Sequence, residues 1–228
     1  MPPITDVAVA LDRMLQRLTD RRKRVLVTVD EAVSNERVRE FASQFQIYLR
    51  KNYNLFLLMT GLYENIYELQ NVKSLTFLYR APKVELKPLN IGLIADSYKT
   101  IFGLDATEAL QMAKATAGYS FAYQALGYLC FSTGKPWQDL LPQYDALLEE
   151  YVYEKIWSES SARDKLVMKG IASTASDEVR DIRATLGLAS NEFTVYRSRL
   201  IRKGVVTAPE YGHVAFTLPR FREFVFRQ

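Results

Sequence analysis

Apolar residues recur along most of this chain at spacings of three and four, the period of a helix packed on one face. The rhythm breaks twice into short unalternated apolar runs. The first is VLVTVDE over 25–31 and the second LFLLMTG over 55–61. Such a run predicts a strand buried on both faces, as in a parallel sheet. Between them Val38, Phe41, Phe45 and Tyr48 are spaced three, four and three apart, which predicts a helix over 35–51. Strand, helix, strand at this spacing is a βαβ unit with an expected right-handed crossover. Upstream, Val9, Leu11, Leu15 and Leu18 give a first helix its core-facing stripe, with Thr5 or Asp6 as cap. Downstream, SLTFLYRAPKVELKPL predicts a further strand over 83–86.

After Pro88 the strand pattern is lost. Helical spacing covers 91–102, 106–115, 119–131 and 144–157, punctuated by Gly103, Gly118, Gly134 and Pro136. That predicts a compact helical subdomain, with Tyr119, Phe121, Tyr123, Tyr128, Phe131 and Trp137 expected in its core. From Ser161 the layout changes again. A helix over 165–172 precedes one capped by Ser176 with Val179, Ile182 and Leu186 inside. A turn at Gly187, Leu188 and Ala189 leads to a third helix, 191–203, capped by Ser190, with Phe193, Tyr196 and Leu200 inside. Val205 to Thr207 and Val214 to Phe216 flank a turn-rich stretch holding His213, the only histidine, expected exposed at the tip. Helix, helix, turn, helix, hairpin is the winged-helix form of the helix-turn-helix. The predicted fold is α/β with part of a parallel sheet over 1–88, an all-α subdomain over 89–160 and a winged-helix domain over 161–228.

Composition narrows the function classes. Of 228 residues, 48% are hydrophobic and 25% charged, which fits a soluble globular protein. No apolar run approaches a membrane span, and no secretory signal opens the chain, so a cytoplasmic setting and no membrane partner are expected. One cysteine, Cys130, and one histidine exclude an internal disulfide and an ordinary His/Cys metal site. Cys130, in ALGYLCF, is expected to be a buried thiol. The net charge of +4 is uneven: from Ser161 onward there are 12 Lys+Arg against 7 Asp+Glu, and before it 18 against 19. The basic excess suggests a nucleic-acid surface in the last third.

Two places carry candidate chemistry. Asp30 and Glu31 end the first strand, and carboxyl ends of strands are where open α/β sheets place ligands. Two carboxylates beside an apolar strand call for a cation. Magnesium with nucleotide phosphates supplies one, with Asp30 as metal ligand and Glu31 polarising the attacking water. The bland alternative is a strand running into an acidic loop. Thr60 ends the second strand and is expected on the same sheet edge, either orienting a phosphate or capping the next helix. Arg80 either faces a phosphate or neighbouring subunit or pairs at the surface. On the third winged-helix helix, Thr194, Arg197, Ser198, Arg199, Arg202 and Lys203 are expected to face outward and contact phosphates and base edges of double-stranded DNA. Protein contact is the competing use of such a face.

With these parts in order, the chain resembles the carboxyl-terminal portion of an AAA+/STAND-type P-loop ATPase, of the bacterial and archaeal kind related to origin-recognition ATPases. The residues that carry the resemblance are VLVTVDE as Walker B, LFLLMTGLYENIYELQ with Thr60 at the sensor-one position, LTFLYRAPKVELKPL, and ATAGYSFAYQALGYL in the helical lid. It covers nearly the whole chain and implies ATP and Mg2+ as cofactors.

There are departures. The G-x-x-x-x-G-K-[ST] loop that cradles phosphates is absent: the only Gly-Lys pair, Gly134-Lys135, precedes Pro136 and has Leu129 where the first glycine belongs. In the family that loop precedes Walker B, so it would lie upstream of Met1, and a truncated chain is expected. The second-sensor arginine expected in GYSFAYQ is missing as well. The resemblance thus implies a nucleotide-dependent switch with a DNA-binding winged helix. As this chain it would hold no nucleotide tightly and would not hydrolyse ATP. The alternative is a winged-helix regulator, binding DNA or protein, with a vestigial ATPase core. An incomplete sheet also predicts self-association.

Overall fold

The computed structural model describes residues 7–228. The proposed cap at Thr5 or Asp6 lies outside them. Two compact units result, Met1–Val84 and Glu85–Gln228.

In the first unit, α1 (Val7–Asp20), β1 (Val25–Val29), α2 (Glu36–Arg50), β2 (Leu55–Met59) and α3 (Tyr63–Gln70) follow one another, and a 3-10 stretch, Lys73–Arg80, ends the regular structure. Asn35 caps α2 by accepting the Val38 amide, as a short amide side chain at that position favours. β1 and β2 pair in parallel, Val25 opposite Leu55 through Val29 opposite Met59. The βαβ expectation is met; burial on both faces is not. Val25, Val27 and Leu57 pack with Leu55 against Leu15 of α1 and Phe45 and Tyr48 of α2. Leu26, Phe56 and Leu58, on the other face, are 62%, 53% and 52% exposed. The sheet has two strands and its helices cover one side, so an unalternated sequence acquires an alternating environment. The strand expected over 83–86 is not formed: Val84 and Leu86 are exposed in an irregular stretch, where Pro82 and Pro88 remove donors and no neighbouring strand offers a ladder.

The second unit is helical up to a short hairpin. It comprises α4 (Ile91–Phe102), α5 (Ala106–Lys114), α6 (Ser120–Thr133) and α7 (Leu141–Leu148), then a π-helical turn, Glu149–Tyr153, and α8 (Glu154–Ser158). After these come α9 (Ala162–Ser173), α10 (Val179–Leu186), α11 (Ser190–Arg202), β3 (Val206–Thr207), β4 (Ala215–Phe216) and α12 (Phe221–Arg227). One continuous core runs from Ile94 and Tyr98 through Leu126, Tyr144, Val167, Phe193 and Leu200 to Phe221 and Val225. Cys130 is buried as expected, and burial pushes its thiol pKa up. Tyr128 and Phe131 depart from expectation: at 68% and 78% exposed they lie outward on α6, edging a shallow apolar groove with Ile101 and Phe102.

The expected hairpin is present, β3 against β4 with Val206 opposite Phe216. Ser176 does not cap α10. Its hydroxyl accepts the Glu178 amide, and the helix begins only at Val179, because the backbone before it pairs with the hairpin. The Val214 amide bonds the Asp177 carbonyl and the Val179 amide the Gly212 carbonyl. The same pairing holds His213 opposite Glu178, half-buried instead of at the tip, where Tyr211 is fully exposed. Among the described residues no helix is long and apolar enough to cross a membrane.

Candidate nucleotide site and the helix α11 face

Parallel pairing in register carries the chain past both strand ends together. The Thr60 amide bonds the Val29 carbonyl at 2.9 Å and the Ala32 amide bonds the Thr60 carbonyl at 2.8 Å, so Asp30, Glu31 and Thr60 share one edge. The Thr60 hydroxyl donates to Asp30 Oδ1. The same oxygen accepts the Glu31 amide at 3.0 Å. Thr60 does not cap α3, whose cap position is Leu62 without a side-chain bond. Gly61 matters here because a Cβ would come within 2.9 Å of the Ala32 carbonyl, so only glycine lets the two strand-end loops touch. Glu31 sits at φ +51°, a left-handed conformation that costs a non-glycine residue about 1 kcal/mol or more.

This edge is open to solvent, all three side chains being exposed. Asp30 and Thr60 offer adjacent oxygens, which suits a magnesium ion that keeps waters and takes its other ligands from phosphates. The described residues hold no group of three or more acidic, histidine or cysteine side chains placed for a metal. Asp30 and Thr60 alone are fewer donors than a metal cage built wholly by protein needs. Arg80 ends the 3-10 stretch on the surface, and no hydrogen bond or ion pair among the described residues joins it to this edge.

The basic face of α11 is not built as expected. Thr194, Ser198 and Arg202 are exposed, beside Val195 and Ile201. The Thr194 hydroxyl donates to the Ser190 carbonyl at 2.7 Å. Arg197, Arg199 and Lys203 are turned to other work. Arg197 donates to the His213 carbonyl at 3.1 Å. Arg199 donates to Asp164 Oδ1 through Nε at 2.8 Å and Nη2 at 2.5 Å. Its Nη2 also reaches Ser161 Oγ at 3.2 Å, and its guanidinium lies 5.1 Å from the Tyr196 ring centre. Lys203 Nζ stands 3.7 Å from Asp164 Oδ2. The cause is Asp164, 1% exposed in α9: a buried carboxylate draws in whatever cations can reach it. Sequence reading missed Asp164, although Ser161 and Asp164 stand at capping-box spacing, and the Ser161 hydroxyl does accept the Asp164 amide.

Against known proteins, residues 150–225 match a domain of unknown function (DUF8462). That span runs from the π-helical turn into α12. No curated protein matches the sequence. In three dimensions the chain is similar to the Walker-type ATPase PABY2304 of Pyrococcus abyssi, with a TM-score of 0.73 and 15% identity over 98% of this chain and 68% of that one. The fold is that of a P-loop ATPase-like protein: mostly helical, with a small parallel sheet.

Proposed function

We propose that this chain is the metal-and-sensor portion of a nucleotide-responsive switch protein. The observation that supports the reading most is the Thr60 hydroxyl closing on Asp30 at the shared carboxyl end of the parallel pair. Asp30 serves as the magnesium ligand, Thr60 holds that carboxylate and meets the terminal phosphate, and Glu31 polarises water. Magnesium and ATP, when bound, supply charge neutralisation and the transferable phosphoryl group. Arg80 is kept as a contact to a phosphate or a neighbouring copy. Weak binding of Mg2+-ATP should shift the backbone NMR signals of Asp30, Glu31, Thr60 and Gly61, and Asp30→Asn should abolish the shifts. Shifts centred elsewhere, or none at millimolar nucleotide, overturn the reading.

The α9–α11 helices with the β3–β4 hairpin are proposed to act as a winged helix. The sequence pointed to phosphates and base edges for α11, but of Arg197, Arg199, Arg202 and Lys203 only Arg202 lacks a hydrogen-bond or ion-pair partner among the described residues. With Val195 and Ile201 beside it, the open face of α11 favours the regulator's other use, contact with a protein. The uncovered face of the β1–β2 sheet supports self-association in the same way.

A further inference from the structure

The densest unpaired positive charge lies elsewhere, in the first unit. Arg13, Arg17, Arg21, Arg22, Lys23 and Arg24 fall within twelve consecutive positions. All six are exposed, and none has an ion pair or side-chain hydrogen bond to the described residues. Two acids stand near. Asp12 is committed to Lys51 at 2.7 Å and to the Tyr53 hydroxyl at 3.1 Å, which leaves Asp20 as the one other acid between positions 12 and 24.

The backbone gathers these charges onto one corner. Arg13 and Arg17 are one helical turn apart on α1, a rise of about 6 Å, and the Arg21 amide still bonds the Arg17 carbonyl, extending the ridge. The chain then reverses: the Arg22 amide bonds the Thr19 carbonyl at 2.8 Å and the Lys23 amide bonds the Leu18 carbonyl at 2.8 Å. This is a Schellman ending, whose left-handed position usually belongs to glycine. Here Arg22 occupies it at φ +54°. A charge is therefore kept where the backbone would be better served without a side chain, and such an outlier points to use. Arg24 directly precedes β1, so the corner sits at the amino ends of the strands. Asp30 and Thr60 are at the opposite end of the same sheet.

We infer that this corner is a contact surface for the phosphate backbone of double-stranded DNA. Five of its six cations are arginines, whose planar forks match phosphate oxygens in bidentate fashion. No aromatic ring stands among them to stack on splayed bases, which single strands would require. Leu11 and Leu15 of α1 pack against the sheet and α2, and among the six cations themselves only Met14 is an exposed apolar side chain, far short of the broad apolar face that a helix lying in a lipid surface buries. The surface requires neither nucleotide binding nor α11.

Fluorescence anisotropy of a labelled duplex against salt tests this. With about five phosphates neutralised, the log-log slope is near −4 to −5. The variant Arg22→Gly with Lys23→Gln and Arg24→Gln should flatten the slope by about 3 and weaken binding by about a hundredfold near 0.1 M salt. Arg22→Gly alone should raise Tm while lowering affinity, because it frees the left-handed position. If these cations serve only the carboxyl end of α1, the triple variant loses Tm and duplex affinity stays put, which overturns the inference. So does loss of duplex binding in Ser198→Ala with Arg202→Ala but not in the triple variant. Retention of phosphatidylserine vesicles without duplex, preference for single strands, or no duplex binding at all overturns it equally.

Discussion

Arg199 grips Asp164 with two nitrogens on one carboxylate oxygen, joining α11 to α9 across 35 positions of sequence. One partner is almost fully buried and the other about a third exposed, so removing the arginine leaves a buried charge with only Lys203 at 3.7 Å to answer it. Arg199→Ala should cost about 2–3 kcal/mol in urea unfolding, whereas Arg202→Ala, at an exposed residue with no hydrogen bond or ion pair to the described residues, should stay within about 0.5 kcal/mol of the parent. Equal effects from the two would mean the pair is not a structural tie.

ATP turnover is the second expectation. With no phosphate-cradling loop in the sequence, the chain alone should release no phosphate above background in the presence of magnesium. Steady-state release that disappears in Glu31→Gln would show that the phosphate side of the site is built by residues assigned here to other roles.

The left-handed backbone at Glu31 gives a third. Glu31→Gly should stabilise the first unit by up to about 1 kcal/mol, since glycine takes positive φ without a Cβ penalty. A loss of stability would mean that the carboxylate contributes more to the folded state than its backbone costs.

Alkaline titration gives a fourth. Tyr98, Tyr144 and Tyr153 are buried with hydroxyls donating to the carbonyls of Tyr123, Ala115 and Pro219. Desolvation pushes all three well above the usual tyrosine range. A pKa raised on folding contributes stability that is whole below the unfolded value and is lost above it. The second unit should therefore weaken from about pH 10, with the three together giving up about 4 kcal/mol one unit higher. Replacing each of the three by Phe should remove its share of this alkaline loss; an unchanged pH dependence of urea unfolding in the Tyr98→Phe, Tyr144→Phe and Tyr153→Phe variants would contradict this.

Self-association is the fifth. The exposed face of Leu26, Phe56 and Leu58 should drive concentration-dependent dimers or larger species in sedimentation, and Leu26→Lys with Leu58→Lys should suppress them. A monomer at every concentration in the parent chain would remove the sheet face as an interface.

Sequence pattern reached the elements better than their surroundings. The strand pair, its parallel sense and the convergence of Asp30 with Thr60 follow from two apolar runs separated by one amphipathic helix, because spacing limits how such a unit closes. What the runs could not carry was the number of layers around them: Leu26 and Phe56 read as core and face outward. The α11 cations failed for a related reason. Positions 197, 199, 202 and 203 look alike in a charge count, and only the burial of Asp164, a tertiary fact, separates Arg199 and Lys203 from Arg202. Ser176 was displaced as a cap because Asp177 and Glu178 pair with backbone some 35 residues downstream.

The turn at Glu149–Tyr153 has a consequence for how the gene can change. The Glu154 amide closes back on the Glu149 carbonyl, five residues away where an α-helix spans four, so this stretch holds one residue more than its length requires. Downstream, Tyr153 lies edge-on to Phe221 with ring centres 4.9 Å apart, and Trp157 meets Phe224 at 6.2 Å. In a regular helix, loss of one codon would swing everything after it by about 100° and part those rings. Here, deleting exposed Glu150 would let the turn relax to α-helical winding with both flanks in place. This is the one point between α7 and α8 where a single-residue deletion should be tolerated and a proline should not.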